Sequence, residues 1–193
     1  MSVSVSDPTE DIELLSRYIN GDETALTELV KRYQRELYGF IYHHVGNQAD
    51  SADLTQKVFV NLFLKANQFS GKSAFKTWLY QIALNQCKNH FRSNDRRKIS
   101  EDVEIEHLPL ITEDNYIEDL GTREEQGKLR NAVSRLPEKQ RMTVQLRLYQ
   151  ECTFPEIAEI MSGSVGTAKA HYFQAIASLR KMLQEENYET HDM

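Results

Sequence analysis

With 193 residues, 40% of them hydrophobic and 27% charged, the chain is long enough for one medium domain or two small ones, each burying its own core. No run approaches the roughly eighteen apolar residues of a membrane span, and the opening MSVSVSDPTE lacks the basic and apolar regions of a signal peptide. A cytoplasmic location without membrane insertion is expected, and Cys87 and Cys152 are too few for a disulfide framework. The net charge of −6 hides a segregation: residues 25–98 carry twelve Lys/Arg against five Asp/Glu, residues 128–183 nine against four, and residues 99–127 one Arg against ten acids. Two basic blocks on an acidic tether suggest two polyanion-binding modules.

In chain order, residues 1–24 read as an N-terminal extension with a short, mostly acidic helix over 11–19. The domain predicted over 25–98 has three amphipathic helices. Their apolar stripes are Leu26, Leu29, Val30, Tyr33, Leu37 and Ile41, then Leu54, Val58 and Leu62, then Phe75, Trp78, Leu79 and Ile82. Breaks fall at Gly46-Asn47 and Ser70-Gly71, with Ser73 placed to cap the third helix. Residues 99–127 have no sustained period and read as a flexible linker.

The domain predicted over 128–186, before a tail at 187–193, resumes helical spacing with Leu129, Val133 and Leu136, then Val144, Leu146 and Leu148. Ile157, Ala158 and Met161 follow, and last Ala168, Tyr172, Ala175, Leu179 and Leu183. Thr153-Phe154-Pro155-Glu156 is a capping box with proline in the first turn, and Met161-Ser162-Gly163 is a stop. Ser164 can cap the helix that follows, so the pair predicts a helix-turn-helix. Its second helix exposes Thr167, Lys169, Ala170, His171, Phe173 and Gln174: Lys169 suits a phosphate or a guanine edge, Gln174 an adenine, and Ser164 with the free amides a phosphate. The fold class is all-α, two small helical domains joined by an acidic linker.

The stretch LPEKQRMTVQLRLYQECTFPEIAEIMSGSVGTAKAHYFQAIASLRKML resembles the promoter-binding fourth region of extracytoplasmic-function sigma factors. The stretches DSADLTQKVFVNLFLKANQF and SAFKTWLYQIALNQCKNHFRSNDRRK resemble the family's second region. The resemblance implies a factor that binds core RNA polymerase and promoter DNA and is controlled by an anti-sigma partner. It implies that Asn85, with Phe69 and its neighbours Gln68 and Ser70, holds a flipped base of the minus-ten element, which an amide and an aromatic ring can read. Lys88, Arg92, Arg96 and Arg97 would meet phosphate there, and Ser164, Thr167, Lys169, His171 and Gln174 the minus-thirty-five element. Asp50, Asp53 and Gln56 would face the basic clamp helices of the polymerase.

At that face two carboxylates usual in the family are missing and Lys57 reverses one charge, at a cost of about 1–3 kcal/mol in affinity. The deficit motivates an expectation that a Ser/Thr kinase adds the charge at Thr55 or Ser51. Trp78 shares a stripe with Phe75, Leu79 and Ile82, which reads as core, although a flat aromatic also suits a stacking wedge. Cys87, His90, His43 and His44 lack a convincing fourth metal ligand. With no glycine-rich phosphate loop or nucleophile motif, no enzyme activity and no cofactor are expected. The rival readings are a sigma-like adaptor that does not initiate transcription and a stand-alone helix-turn-helix repressor.

Overall fold

The computed structural model describes residues 8–98 and 123–189, with side chains over 9–93 and 127–184. The predicted linker up to residue 122 lies outside the described residues, as do the side chains of Arg96 and Arg97. Every regular element among the described residues is helical, and the chain divides into two compact units.

The first unit holds α1 (Pro8–Ile19), α2 (Glu23–Val45), α3 (Gln48–Lys65), a 3-10 turn (Ala66–Gln68) and α4 (Phe75–Lys98). Local chemistry sets the boundaries. Asp22 caps α2 by accepting from the Thr24 amide at 2.9 Å. Gly46 ends that helix in the left-handed region at φ 73, a conformation that favours glycine, and its N–H donates to the Tyr42 carbonyl. Asn47 then caps α3 through the Asp50 amide. The first α4 carbonyl bond is accepted by Ala74, so the cap position lies one residue beyond Ser73. The α2 stripe buries Leu29, Tyr33, Leu37 and Ile41 against Leu54, Val58 and Leu62 of α3 and Phe75 and Leu79 of α4. Truncating one of these leucines to alanine costs about 2–5 kcal/mol.

Helix α1 belongs to this packing, so the expected extension over 1–24 is in part core: Leu14 and Leu15 are buried and the helix lies against α2, α4 and the 3-10 turn. Asp11, only 2% exposed, accepts hydrogen bonds from the Tyr33 hydroxyl and from the Arg32 guanidinium, the latter at 2.7 Å. A buried carboxylate persists only with such partners.

The second unit holds α5 (Arg123–Ser134), α6 (Glu138–Leu148), α7 (Phe154–Ile160) and α8 (Val165–Glu189). Its core is Ala132, Val133, Leu136, Val144, Ala175 and Leu179, flanked by Leu129, Tyr172, Ile176, Met182 and Leu183. Helix α6 buries Met142 through Leu146 without a break because it is packed against both α7 and α8, whereas Leu148 is 53% exposed and leaves the expected stripe. The capping box at Thr153 and Glu156 forms, with proline in the first turn. The turn between α7 and α8 is made by Ser162, left-handed at φ 56, while the Gly163 N–H returns to the Ala158 carbonyl at 2.8 Å.

Candidate nucleic-acid interfaces

Along α4, Trp78, Asn85 and Arg92 are seven residues apart, and Lys88 stands three after Asn85, so the four share one helix face. Asn85 and Arg92 are exposed and Lys88 is half-buried. The 3-10 turn delivers Phe69 to the head of this row, its ring centroid 5.1 Å from that of Trp78 and 6.2 Å from that of Phe75. Trp78 is half-buried: it rests on core Phe75 and meets the loop through Phe69. The result is an aromatic pair and an amide at one end of a basic row, a surface suited to base stacking and edge recognition beside phosphate.

The outer face of α3 presents Asp53 and Gln56, with Asp50 partly exposed. One of these acids is already engaged within the unit, and a histidine stands near the other. Lys57 pairs with Asp53 at 2.5 Å, and the His90 Nε2 lies 3.7 Å from Asp50. Val60 and Leu64 extend the face as exposed apolar groups, 53% and 76% accessible.

The hydroxyls expected to accept phosphate point the other way. Ser51 is fully buried and donates to the Asn47 carbonyl at 2.6 Å; Thr55 is 8% exposed and donates to the Ser51 carbonyl at 2.7 Å. They lie on the inward stripe with Leu54, Val58 and Leu62, where a doubly charged group would be desolvated in the core. This packing gives no support to a kinase switch at Thr55 or Ser51. Cys87 is likewise buried, and burial pushes its thiol up to about 12, so it stays protonated and unreactive.

In the second unit Ser164 caps α8, accepting from the Thr167 amide at 3.1 Å, and its hydroxyl lies 2.8 Å from that of Thr167. Thr167, Lys169 and Gln174 are exposed, as expected for a reading surface. His171 is only half-exposed, with its Nδ1 buried, and so departs from the expected exposed set. The missed residue is Arg147 of α6. Its guanidinium lies 5.1 Å from the Phe154 ring centroid, on the ring that the Lys169 ammonium approaches to 5.9 Å. Two cations thus converge on one aromatic platform at the start of α7. No spacing along the sequence announces this, because the α6, α7 and α8 contributors meet only by packing.

Residues 29–97 match the Sigma-70 region 2 family and residues 126–179 match Sigma-70 region 4. Over 182 residues the chain is 31% identical to the RNA polymerase sigma-H factor of Pseudomonas aeruginosa, covering 91% of this chain and 94% of that one. It is 32% identical over 187 residues to the ECF RNA polymerase sigma-E factor of Escherichia coli, covering 93% and 97%. The chain belongs to the extracytoplasmic-function sigma factors. Two solved structures share the fold at 20% identity. The sigma factor RpoE of Bartonella quintana, in complex with the anti-sigma factor NepR, superposes with a TM-score of 0.71, covering 82% of this chain and 96% of that one. CnrH, in complex with the cytosolic domain of CnrY, superposes with a TM-score of 0.67, covering 91% and 98%. In this sigma factor the region 2 match begins at Leu29, inside α2, and leaves α1 outside it. No described helix is long and apolar enough to cross a membrane.

Proposed function

We propose that this sigma factor binds core RNA polymerase and directs promoter-specific initiation as a non-enzymatic subunit. In this reading the first unit takes the minus-ten element through Phe69, Asn85, Lys88 and Arg92, with Arg96 and Arg97 further along the same helix. The second unit takes the minus-thirty-five element through Thr167, Lys169 and Gln174, with Ser164 and His171 nearby and Arg147 added as a phosphate contact. Asp50, Asp53 and Gln56 form the polymerase-facing surface. The observation that carries the reading is the α4 row, in which Phe69 and Trp78 pair at the head of a face continuing through Asn85 into Lys88 and Arg92. A structural bundle would have little reason to seat a half-exposed tryptophan and an exposed amide above consecutive cations.

Run-off transcription with purified core polymerase, on a fragment from upstream of the protein's own gene, tests this. A discrete transcript that depends on the added factor is expected; its absence under every activating condition refutes initiation. One observation favours a second reading, a sigma-like adaptor: Lys57 pairs with Asp53 on the outer face of α3, which weakens the face a basic clamp would contact. Control by an anti-sigma protein fits either reading, and one neighbouring fold was solved with such a partner.

A further inference from the structure

The base-reading loop does not rest on its own element alone. Beneath Phe69 and Trp78 lies Phe75, fully buried, with ring centroids 6.2 and 6.4 Å from theirs. Behind Phe75 lies Tyr33 of α2, at 5.5 Å between centroids and 2% exposed. The Tyr33 hydroxyl in turn donates to the buried carboxylate of Asp11 on α1, which Arg32 holds from the other side at 2.7 Å. Arg32 also reaches Glu10 at 3.3 Å and Glu28 at 3.7 Å, so the anchoring cation is itself confined. A second line of contact runs in parallel: the Tyr18 ring of α1 lies 5.8 Å from Phe63 near the end of α3, and α1 packs on the 3-10 turn that delivers Phe69. The N-terminal helix therefore touches the reading loop through a polar anchor and through a direct buttress.

Tyrosine is an unusual choice for a fully packed core position unless its hydroxyl has a partner. Here the partner is a carboxylate only 2% exposed, and hydrogen bonds to charged groups are about twice as strong as neutral ones. The bond holds the ring in one place along its long axis. Because close-packed interiors transmit small displacements, the position of Tyr33 sets that of Phe75, and Phe75 sets the seat of the two reading rings.

We propose that Asp11 and Tyr33 are positioning residues for base recognition, holding the Phe69 and Trp78 pair through Phe75, so that α1 is a working part of the minus-ten reader. This deepens the proposed function and rests on its assignment of the Phe69, Trp78 and Asn85 surface.

Trp78 is the only tryptophan of the chain, so its emission reports this surface directly. The full-length protein is titrated with single-stranded dT decamers carrying a central dA, dC, dG or dT, and the ratio between the best and the worst central base is recorded. Tyr33→Phe removes one hydroxyl and keeps the ring. It is expected to shift the Trp78 emission without DNA and to shrink the base preference about fivefold, within the range reached by substitutions along packed networks. Asp11→Asn keeps an acceptor for the hydroxyl but gives up the charge that strengthens the bond, and its preference is expected to fall between those of the wild type and Tyr33→Phe. Leu54→Ala loosens the core from α3 and leaves the α1 anchor in place, so it is the control for lost stability alone. If Tyr33→Phe leaves both preference and emission unchanged, or if Leu54→Ala erodes the preference equally, the positioning role is overturned while the reader stands. If the wild-type protein shows no base preference and Asn85→Ala alters nothing, the reader itself is wrong and the positioning role falls with it.

Discussion

Replacing Lys57 by glutamate should strengthen core polymerase binding, because it removes a cation from a face proposed to meet basic helices and releases Asp53 at the same time. The Lys57 and Asp53 side chains are 55% and 56% exposed at i, i+4 spacing. Such an exposed pair is worth about 0.2–1 kcal/mol, and the like-charged pair that replaces it costs a few tenths more, so the domain loses about 1 kcal/mol of stability. That is small against the ~5–15 kcal/mol typical of a folded domain. The gain in binding, a two-unit change of charge at a complementary rim, is about 1–2 kcal/mol, or roughly 5- to 30-fold in Kd. Affinity therefore dominates the phenotype. Competition binding to purified core polymerase at low and high salt measures it, with Lys57→Ala expected to fall between wild type and glutamate, and with the advantage shrinking as salt rises. Unchanged or weaker binding at low salt by a protein of native helix content would refute the electrostatic account of the α3 face.

Asn85→Ala should impair promoter opening while leaving core binding intact, since the exposed amide stands on α4 and the proposed polymerase face on α3; permanganate footprinting beside a core-binding assay separates the two, and equal loss of both sinks the assignment. Lys169→Ala should weaken binding to duplex minus-thirty-five DNA and lower the salt slope by about one phosphate contact, with Arg147→Ala doing the same from α6; an unchanged slope removes that residue from the backbone interface. The hydrogen bonds from Thr24 and the guanidinium of Arg17 hold the Asp22 carboxyl at about 2, below its ordinary 3.8. A carboxyl lowered in the folded state adds stability above its unfolded value, lost as pH falls from about 4 through about 2. Asp22→Ala should remove that part of the acid unfolding curve, and a curve identical to wild type between those limits would exclude the cap as its source.

Features legible in the sequence are those set by neighbours three or four residues away. The capping box at Thr153, the Ser164 cap, the Gly46 stop and the stripes of α2, α3 and α4 depend on backbone hydrogen bonding and helical period, which a linear pattern carries. Ser51 and Thr55 were legible in principle by the same rule, since they fall in register with Leu54, Val58 and Leu62. The attraction of a missing charge at that segment pointed outward, and the period pointed inward. The period is the stronger constraint, because a hydroxyl can return its hydrogen bond to the preceding turn and tolerate burial.

Packing between elements decided the rest. Glu10, Asp11 and Glu13 make the first helix look like an acidic extension, and only the approach of Tyr33 and Arg32 turns one of those acids into a buried anchor. Arg147 and Lys169 lie 22 positions apart and gain their meaning from the Phe154 ring that packing sets between them. Trp78 reads as core from its period, yet its exposure depends on where the loop after the 3-10 turn sets Phe69. In each case the deciding partner is far along the chain, and side-chain pattern within one helix specifies which face turns inward but not what it will meet there.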